Sequence, residues 1–272
     1  MLGTVLARYL RGRGEEVIGW DLPEHDVTQV DKTINGIHRV RPEVVFHLAA
    51  VTDVDGCEKD QGKATSVNFQ GTWAVALGAE EIGCKLVYMS TDYVFDGQSR
   101  RPYREKDETE PLSVYGRSKL MGEKAVVRAC RRRFIVRTSW LYGPHGRNFV
   151  DTIRMLAREK DRLEVVGDQV GSPTYTQDLC EPLYELAGSV KYDTYHMTNS
   201  GQCSWYELAR EVVEVVGANS RVIPIDTGKS GRPAPRPVFS VLENRNLHKR
   251  FGRQLRPWQE ALRDYLGETP AT

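Results

Sequence analysis

Apolar positions near the start of the chain recur as Leu2, Val5, Leu6, Tyr9 and Leu10, the one-sided stripe of an amphipathic helix. Gly12 and Gly14 stop it. The period then shortens: residues 17–20 (Val17-Ile18-Gly19-Trp20) predict a short buried strand ending at Asp21. A second helix is expected around Ile34, Ile37 and Val40, with Pro42 at its exit. Residues 44–48 predict another buried strand running into Ala49-Ala50. The alternation continues with a helix over 64–82, a strand over 85–90, a helix over 115–129 and a strand over 134–138. Continuous apolar strands separated by helices predict a parallel sheet covered on both faces, an α/β doubly wound fold.

Past Trp140 the pattern loosens. Gly, Pro and Arg cluster over residues 142–148 and again over 228–237, while 208–216 and 258–266 keep helical spacing. These segments predict a smaller C-terminal lobe. The expected division is 1–142 with 176–199 as a dinucleotide-binding domain, and 143–175 with 200–272 as a substrate lobe. No repeat or low-complexity tract interrupts the chain.

Composition narrows the function classes. The 272 residues carry 38 Lys+Arg against 37 Asp+Glu, a formal charge of +1 that argues against a nucleic-acid scaffold. The apolar runs fall well short of the ~20 residues of a membrane span, and no secretory leader pattern opens the chain. Five scattered cysteines without a Cys-x-x-Cys predict free thiols and a cytoplasmic setting. The scattered histidines offer no metal motif. Arg131-Arg132-Arg133 is expected to cap a helix C-terminus and stay solvated.

In a doubly wound sheet, ligands bind beyond the carboxyl ends of the strands. Those ends here are Asp21, Ala49-Ala50, Ser90-Thr91-Asp92 and Ser139-Trp140. Tyr115 and Lys119 stand four apart on a predicted helix and so share one face. An ammonium beside a phenol favours the phenolate, and the expectation is a lowered tyrosine pKa suited to proton transfer. With twelve tyrosines, about half a Tyr-x-x-x-Lys match arises by chance, so the motif alone is weak. Thr91, directly after a predicted strand, adds a hydroxyl for the same substrate oxygen. Pro111 and Ser113 predict a helix start just before Tyr115. Asp21 is positioned to accept from an adenosine ribose, which leans towards NADH, or to serve as a turn acid. Arg232 and Arg236, set among prolines, are candidates for a diphosphate or plain surface charge.

The run Ser90-Thr-Asp-Tyr-Val-Phe-Asp-Gly97 followed by Pro111-Leu-Ser-Val-Tyr-Gly-Arg-Ser-Lys119 resembles the extended short-chain dehydrogenase/reductase family. Arg137-Thr-Ser-Trp-Leu-Tyr-Gly143, Asp168-Gln-Val-Gly-Ser-Pro-Thr174 and Leu255-Arg-Pro-Trp-Gln-Glu-Ala-Leu262 narrow the likeness to its dTDP-4-dehydrorhamnose reductases, over nearly the whole chain. The resemblance implies Tyr115 as proton donor, Lys119 as its electrostatic partner and a ribose ligand, and Thr91 as the group polarising a sugar ketone. The implied reaction is NADPH- or NADH-dependent reduction of dTDP-4-dehydro-L-rhamnose. It further implies cofactor contacts at Gly3, Asp21, Asp26, Val27, Ala49, Ala50, Val51, Thr52 and Met89. Substrate contacts are implied at Thr52, Val54, Asp92, Tyr93 and Trp140, with Arg236 added from its charge; Trp140 could equally be lobe-packing core. An epimerase or dehydratase of the same superfamily is an alternative. Some family members are homodimers with an interface Mg2+, so the resemblance leaves both open here, although nothing in this sequence confirms the metal's ligands.

One departure stands out. The fold is Rossmann-like, yet a Rossmann-like fold opens with a strand and Gly-x-x-Gly-x-x-Gly, and Met1-Leu2-Gly3 matches only the last glycine. Either a misplaced start hides an upstream strand, or the chain is a non-catalytic binding subunit, like a regulatory partner of methionine adenosyltransferase in the same superfamily. The retained Thr91, Tyr115 and Lys119 favour the first account.

Overall fold

A computed structural model of the chain describes residues 1–268. Helices α1 (Leu2–Gly12) and α2 (Val30–Val40) precede strand β1 (Val44–His47). Helices α3 (Val54–Lys59) and α4 (Gln61–Thr65) run through a π-helical turn, Ser66–Gly71, into α5 (Thr72–Ile82). Strand β2 (Lys85–Thr91) ends in a 3-10 turn, Asp92–Val94, and α6 (Val114–Ala129) leads to β3 (Arg133–Thr138). Then come β4 (Leu141–Tyr142), α7 (Phe149–Glu159), β5 (Arg162–Val166), β6 (Val170–Gly171), β7 (Thr174–Tyr175), α8 (Thr176–Gly188) and β8 (Thr194–His196). The described chain closes with β9 (Cys203–Ser204), α9 (Trp205–Val215), β10 (Arg221–Ile225), α10 (Arg245–Phe251) and α11 (Trp258–Glu268).

The main sheet is parallel throughout, in the order β1-β2-β3-β8. Alternate residues feed opposite layers. Val87, Met89, Phe134 and Val136 join Leu2, Leu6, Leu179 and Leu183, so α1 and α8 cover one face. Leu86, Tyr88 and Ile135 join Ile37, Val75, Ala79 and Val126, so α2, α5 and α6 cover the other. A second core lies under α7, α9 and α11, with β5 paired to β10 in parallel. Its α9 starts with a reciprocal capping box between Ser204 and Glu207. Helix α10 packs beside β8, its Leu247 in the first core.

Three expectations need correction. Residues 17–20 form no strand, and Ile18 is 55% exposed, because strand character needs a ladder partner and no described strand lies beside them. Of the expected 44–48, Val44–His47 form the strand, and it is mostly half-buried, since among the described residues β1 pairs only with β2 and its other edge is open. The helix over 64–82 is continuous but not regular, widened by the π turn over Ser66–Gly71. Among the described residues no helix is long and apolar enough to cross a membrane. All five cysteines are buried free thiols. Arg132 and Arg133 donate to the carbonyls of Gly83 and Cys130 at helix ends, and Arg131 pairs with Glu80.

Candidate active site

Ser113 caps α6 by accepting from the Gly116 N–H at 3.1 Å, which sets Tyr115 in the first turn. The helix packs tightly here: a Cβ on Gly116 would lie 2.2 Å from the Tyr93 carbonyl, and one on Gly122 2.3 Å from Tyr88 Oη. Only glycines allow α6 to approach β2 and its following turn so closely.

That approach brings three side chains together beyond the end of β2. Thr91, Tyr115 and Lys119 are 5%, 9% and 3% exposed. Tyr115 hydrogen-bonds Thr91, whose Oγ1 also donates to Asp92 Oδ1 at 3.0 Å and accepts from the Tyr93 N–H at 3.2 Å. Lys119 Nζ donates to the Met89 carbonyl at 2.6 Å and lies 4.2 Å from the Tyr88 ring centre. The sequence places these residues correctly as a group, but the electrostatics run the other way. Burial pushes the Tyr115 phenol well above its ordinary value, and the Thr91 hydrogen bond only partly offsets this. Burial likewise pulls Lys119 down to about 7, against support from Glu123. Desolvation dominates because the phenol sits in a dry pocket beside Cys57, Ala64 and Val114, and the Asp92 and Tyr93 charges add to it. The phenol is therefore protonated at neutral pH, as a proton donor must be.

Four residues that the motif reading passed over hold this arrangement. Asn68, in the π turn, accepts from the Val51 N–H at 2.8 Å and donates to the Val51 carbonyl at 3.0 Å and Ser118 Oγ at 2.9 Å. It ties the loop after β1 to the helix bearing Tyr115. Glu123 and Arg137 form an ion pair at 2.7 and 2.8 Å, both side chains 6% exposed, and Ser90 Oγ donates to the same carboxylate at 2.6 Å. Asp55 binds Arg236 in a two-point pair at 2.8 and 3.0 Å. Glu123, four residues beyond Lys119, was the one legible from spacing.

The remaining expected positions are distributed as follows. Gly3 lies 3.5 Å, measured from a built Cβ, from Leu48, so the start of α1 adjoins the Ala49–Thr52 loop. No side chain caps that helix start, leaving first-turn N–H groups for a phosphate. Ala49 and Thr52 are exposed, and Ala50, Val51 and Val54 half-buried. Asp21 is exposed and accepts from its neighbour Leu22 N–H at 2.8 Å. Asp26 is lowered first by the Thr28 N–H and then by the Thr28 hydroxyl. Val27 packs at Gly71. Burial raises Asp92 to about 6, against hydrogen bonds from Ser240 and Thr91. Tyr93 meets the Tyr115 ring edge-on at 5.5 Å. Trp140 stacks on Trp205 at 3.5 Å and presses on Gly171, half-buried against the second core.

The nicotinamide half of a dinucleotide fits these residues. Lys119 Nζ has three donors and one protein acceptor, leaving N–H groups for ribose hydroxyls. The open side of β1 and the α1 start flank the same loop.

Comparison with known proteins follows from this geometry. The RmlD substrate binding domain family matches residues 1–270. The spore coat polysaccharide biosynthesis protein SpsK of Bacillus subtilis is 41% identical over 267 residues, 98% of this chain and 94% of that protein. A dTDP-4-dehydrorhamnose reductase structure from Clostridium acetobutylicum superposes with a TM-score of 0.96 at 40% identity, covering 98% of this chain and 95% of that one. The NADP complex of the Bacillus anthracis dTDP-4-dehydrorhamnose reductase gives 0.95 at 37% identity, with the same coverage.

Proposed function

The chain belongs to the RmlD substrate binding domain family, and from that premise we propose that it is the NAD(P)H-dependent reductase converting dTDP-4-dehydro-L-rhamnose to dTDP-L-rhamnose. The observation that carries this reading is the convergence of Thr91, Tyr115 and Lys119 at the end of β2. Reduced nicotinamide, when bound, supplies the hydride.

The chain's own residues do the rest. Thr91 and Tyr115 hold the sugar carbonyl by hydrogen bonds, which polarises it and fixes the face presented for reduction. The Tyr115 Oη proton passes to the carbonyl oxygen as that oxygen gains charge. Lys119 holds the ribose, and its ammonium stabilises the phenolate left behind. With Lys119 held to about 7, it can also return a proton to Tyr115 near neutral pH. Gly3 and the Ala49–Thr52 loop border the cofactor, with Asp21, Asp26, Val27 and Met89 beside it. Thr52, Val54, Asp92, Tyr93, Trp140 and Arg236 border the sugar nucleotide. The two-lobe division, a homodimer and a cytoplasmic setting complete the proposal.

Mixing the purified chain with NADPH and dTDP-4-dehydro-L-rhamnose tests it. One NADPH should be oxidised per sugar reduced. Turnover of a nucleotide sugar without net NADPH loss would instead indicate an epimerase or dehydratase. Saturable binding of neither cofactor nor sugar nucleotide would indicate a non-catalytic subunit.

A further inference from the structure

A second polar cluster reaches the site through Tyr93. Asp55, on α3 beside Val54, accepts four hydrogen bonds from one loop of the second lobe. Its Oδ1 takes the Ala234 N–H at 3.2 Å and Arg236 Nη1 at 3.0 Å. Its Oδ2 takes Arg236 Nη2 at 2.8 Å and Arg232 Nη1 at 3.1 Å. Arg236 also donates to the Ala234 carbonyl at 3.0 Å and to Tyr93, so few of its N–H groups remain uncommitted. Arg232 is 62% exposed. Burial works against the Asp55 charge, yet Arg236, Ala234 and Arg232 together hold its carboxyl down at about 2.

Two guanidinium groups and a backbone N–H aimed at one planar oxyanion make a seat for phosphate as readily as for carboxylate. We propose that Arg232, Arg236 and the Ala234 N–H are the seat for the ligand's diphosphate, and that Asp55 is a tethered competitor which the diphosphate displaces. The proposal rests on the nucleotide-sugar reading above. A carboxylate and a diphosphate repel, so the same donors cannot hold both at full strength. Asp55 therefore sets the affinity for the diphosphate of every sugar nucleotide, product included, and leaves binding of the nucleoside portion untouched.

Asp55→Asn keeps the shape and removes the competing charge. Titrating the full chain with dTDP and, separately, with thymidine reads the outcome. The variant should bind dTDP about tenfold more tightly and thymidine unchanged. Asp55→Glu, which keeps the charge, should stay near the parent for both. If dTDP binds the parent chain but binds Asp55→Asn equally or more weakly, Asp55 positions the arginines and the competitor role is overturned, while the nucleotide-sugar reading survives. If neither chain binds dTDP, both readings fall. Should the Asn variant not fold, hydrogen exchange of the parent chain decides. Saturation with dTDP should speed exchange in Val54–Lys59, and unchanged or slower exchange there overturns the displacement.

Discussion

Replacing Arg137 with methionine isolates the buried ion pair behind Tyr115 and Lys119. The guanidinium meets Glu123 through two N–H groups at 2.7 and 2.8 Å, and Nη1 reaches the Glu105 carbonyl at 3.3 Å. Both side chains are almost wholly shielded from water, so Arg137→Met strands a carboxylate whose only other described hydrogen-bond partner is Ser90 Oγ. Breaking one side of such a pair costs about 3–5 kcal/mol, well above the 0–1 kcal/mol of an exposed pair. Replacing both partners with apolar residues of similar volume removes the stranded charge. The double variant Glu123→Leu/Arg137→Met should therefore be more stable than Arg137→Met alone. Urea unfolding measures both differences. The same pair bears on Lys119, because the Glu123 charge supports its ammonium. Glu123→Gln should lower the Lys119 pKa below about 7 and move the alkaline limb of the kcat/KM profile to lower pH. An Arg137→Met chain that loses less than about 1 kcal/mol, with no recovery in the double variant, would refute the buried-pair reasoning.

Three further outcomes follow from the same geometry. Tyr115→Phe should cut kcat about 10²- to 10⁴-fold with NADPH affinity unchanged in a fluorescence titration, and an active Phe variant would contradict the proton-donor role. Lys119 titrates near 7 folded against 10.5 ordinarily, so between those values the unfolded chain binds the extra proton and stability rises with pH. The stability of the parent minus that of Lys119→Met, measured by urea unfolding, should therefore climb from about pH 7 upward, and a flat difference would disprove the burial argument. Asn68→Ala removes the Asn68 hydrogen bonds to both Val51 backbone groups, leaving the carbonyl the Cys57 thiol at 3.9 Å, and should cost about 1–3 kcal/mol with a raised KM for NADPH; wild-type values for both would show that the clamp is dispensable.

The helix stripe of α1, the apolar runs of β2 and β3, and the Tyr115–Lys119 spacing were legible because each depends on neighbours within a few residues. What escaped depends on distant partners. Residues 17–20 have the composition of a strand, but a strand exists only where another lies alongside, and composition does not report that. The Asp55–Arg236 pair spans 181 positions, and no local pattern marks it. The phenol's acidity escapes for a related reason: spacing shows which charge is near, whereas much of the dehydration comes from Cys57 and Ala64, which arrive from elsewhere in the chain. Asn68 carried a weak clue as a polar residue amid an apolar helix, but its role rests on a widened turn that local preference does not reveal.

That widened turn also governs how the chain tolerates length changes. An i→i+5 turn holds one residue more than the α-helix on either side of it, so excising a single residue between Ser66 and Gly71 would let the backbone close into regular i→i+4 turns and leave Ala74, Val75, Gly78 and Ala79 pressed inward as now. The loss would fall on Asn68, whose grip on Val51 depends on the widened turn. The same deletion within Thr72–Ile82 would instead swing every later residue of that helix by roughly 100°, making Ser66–Gly71 the stretch where this helix absorbs a change of length.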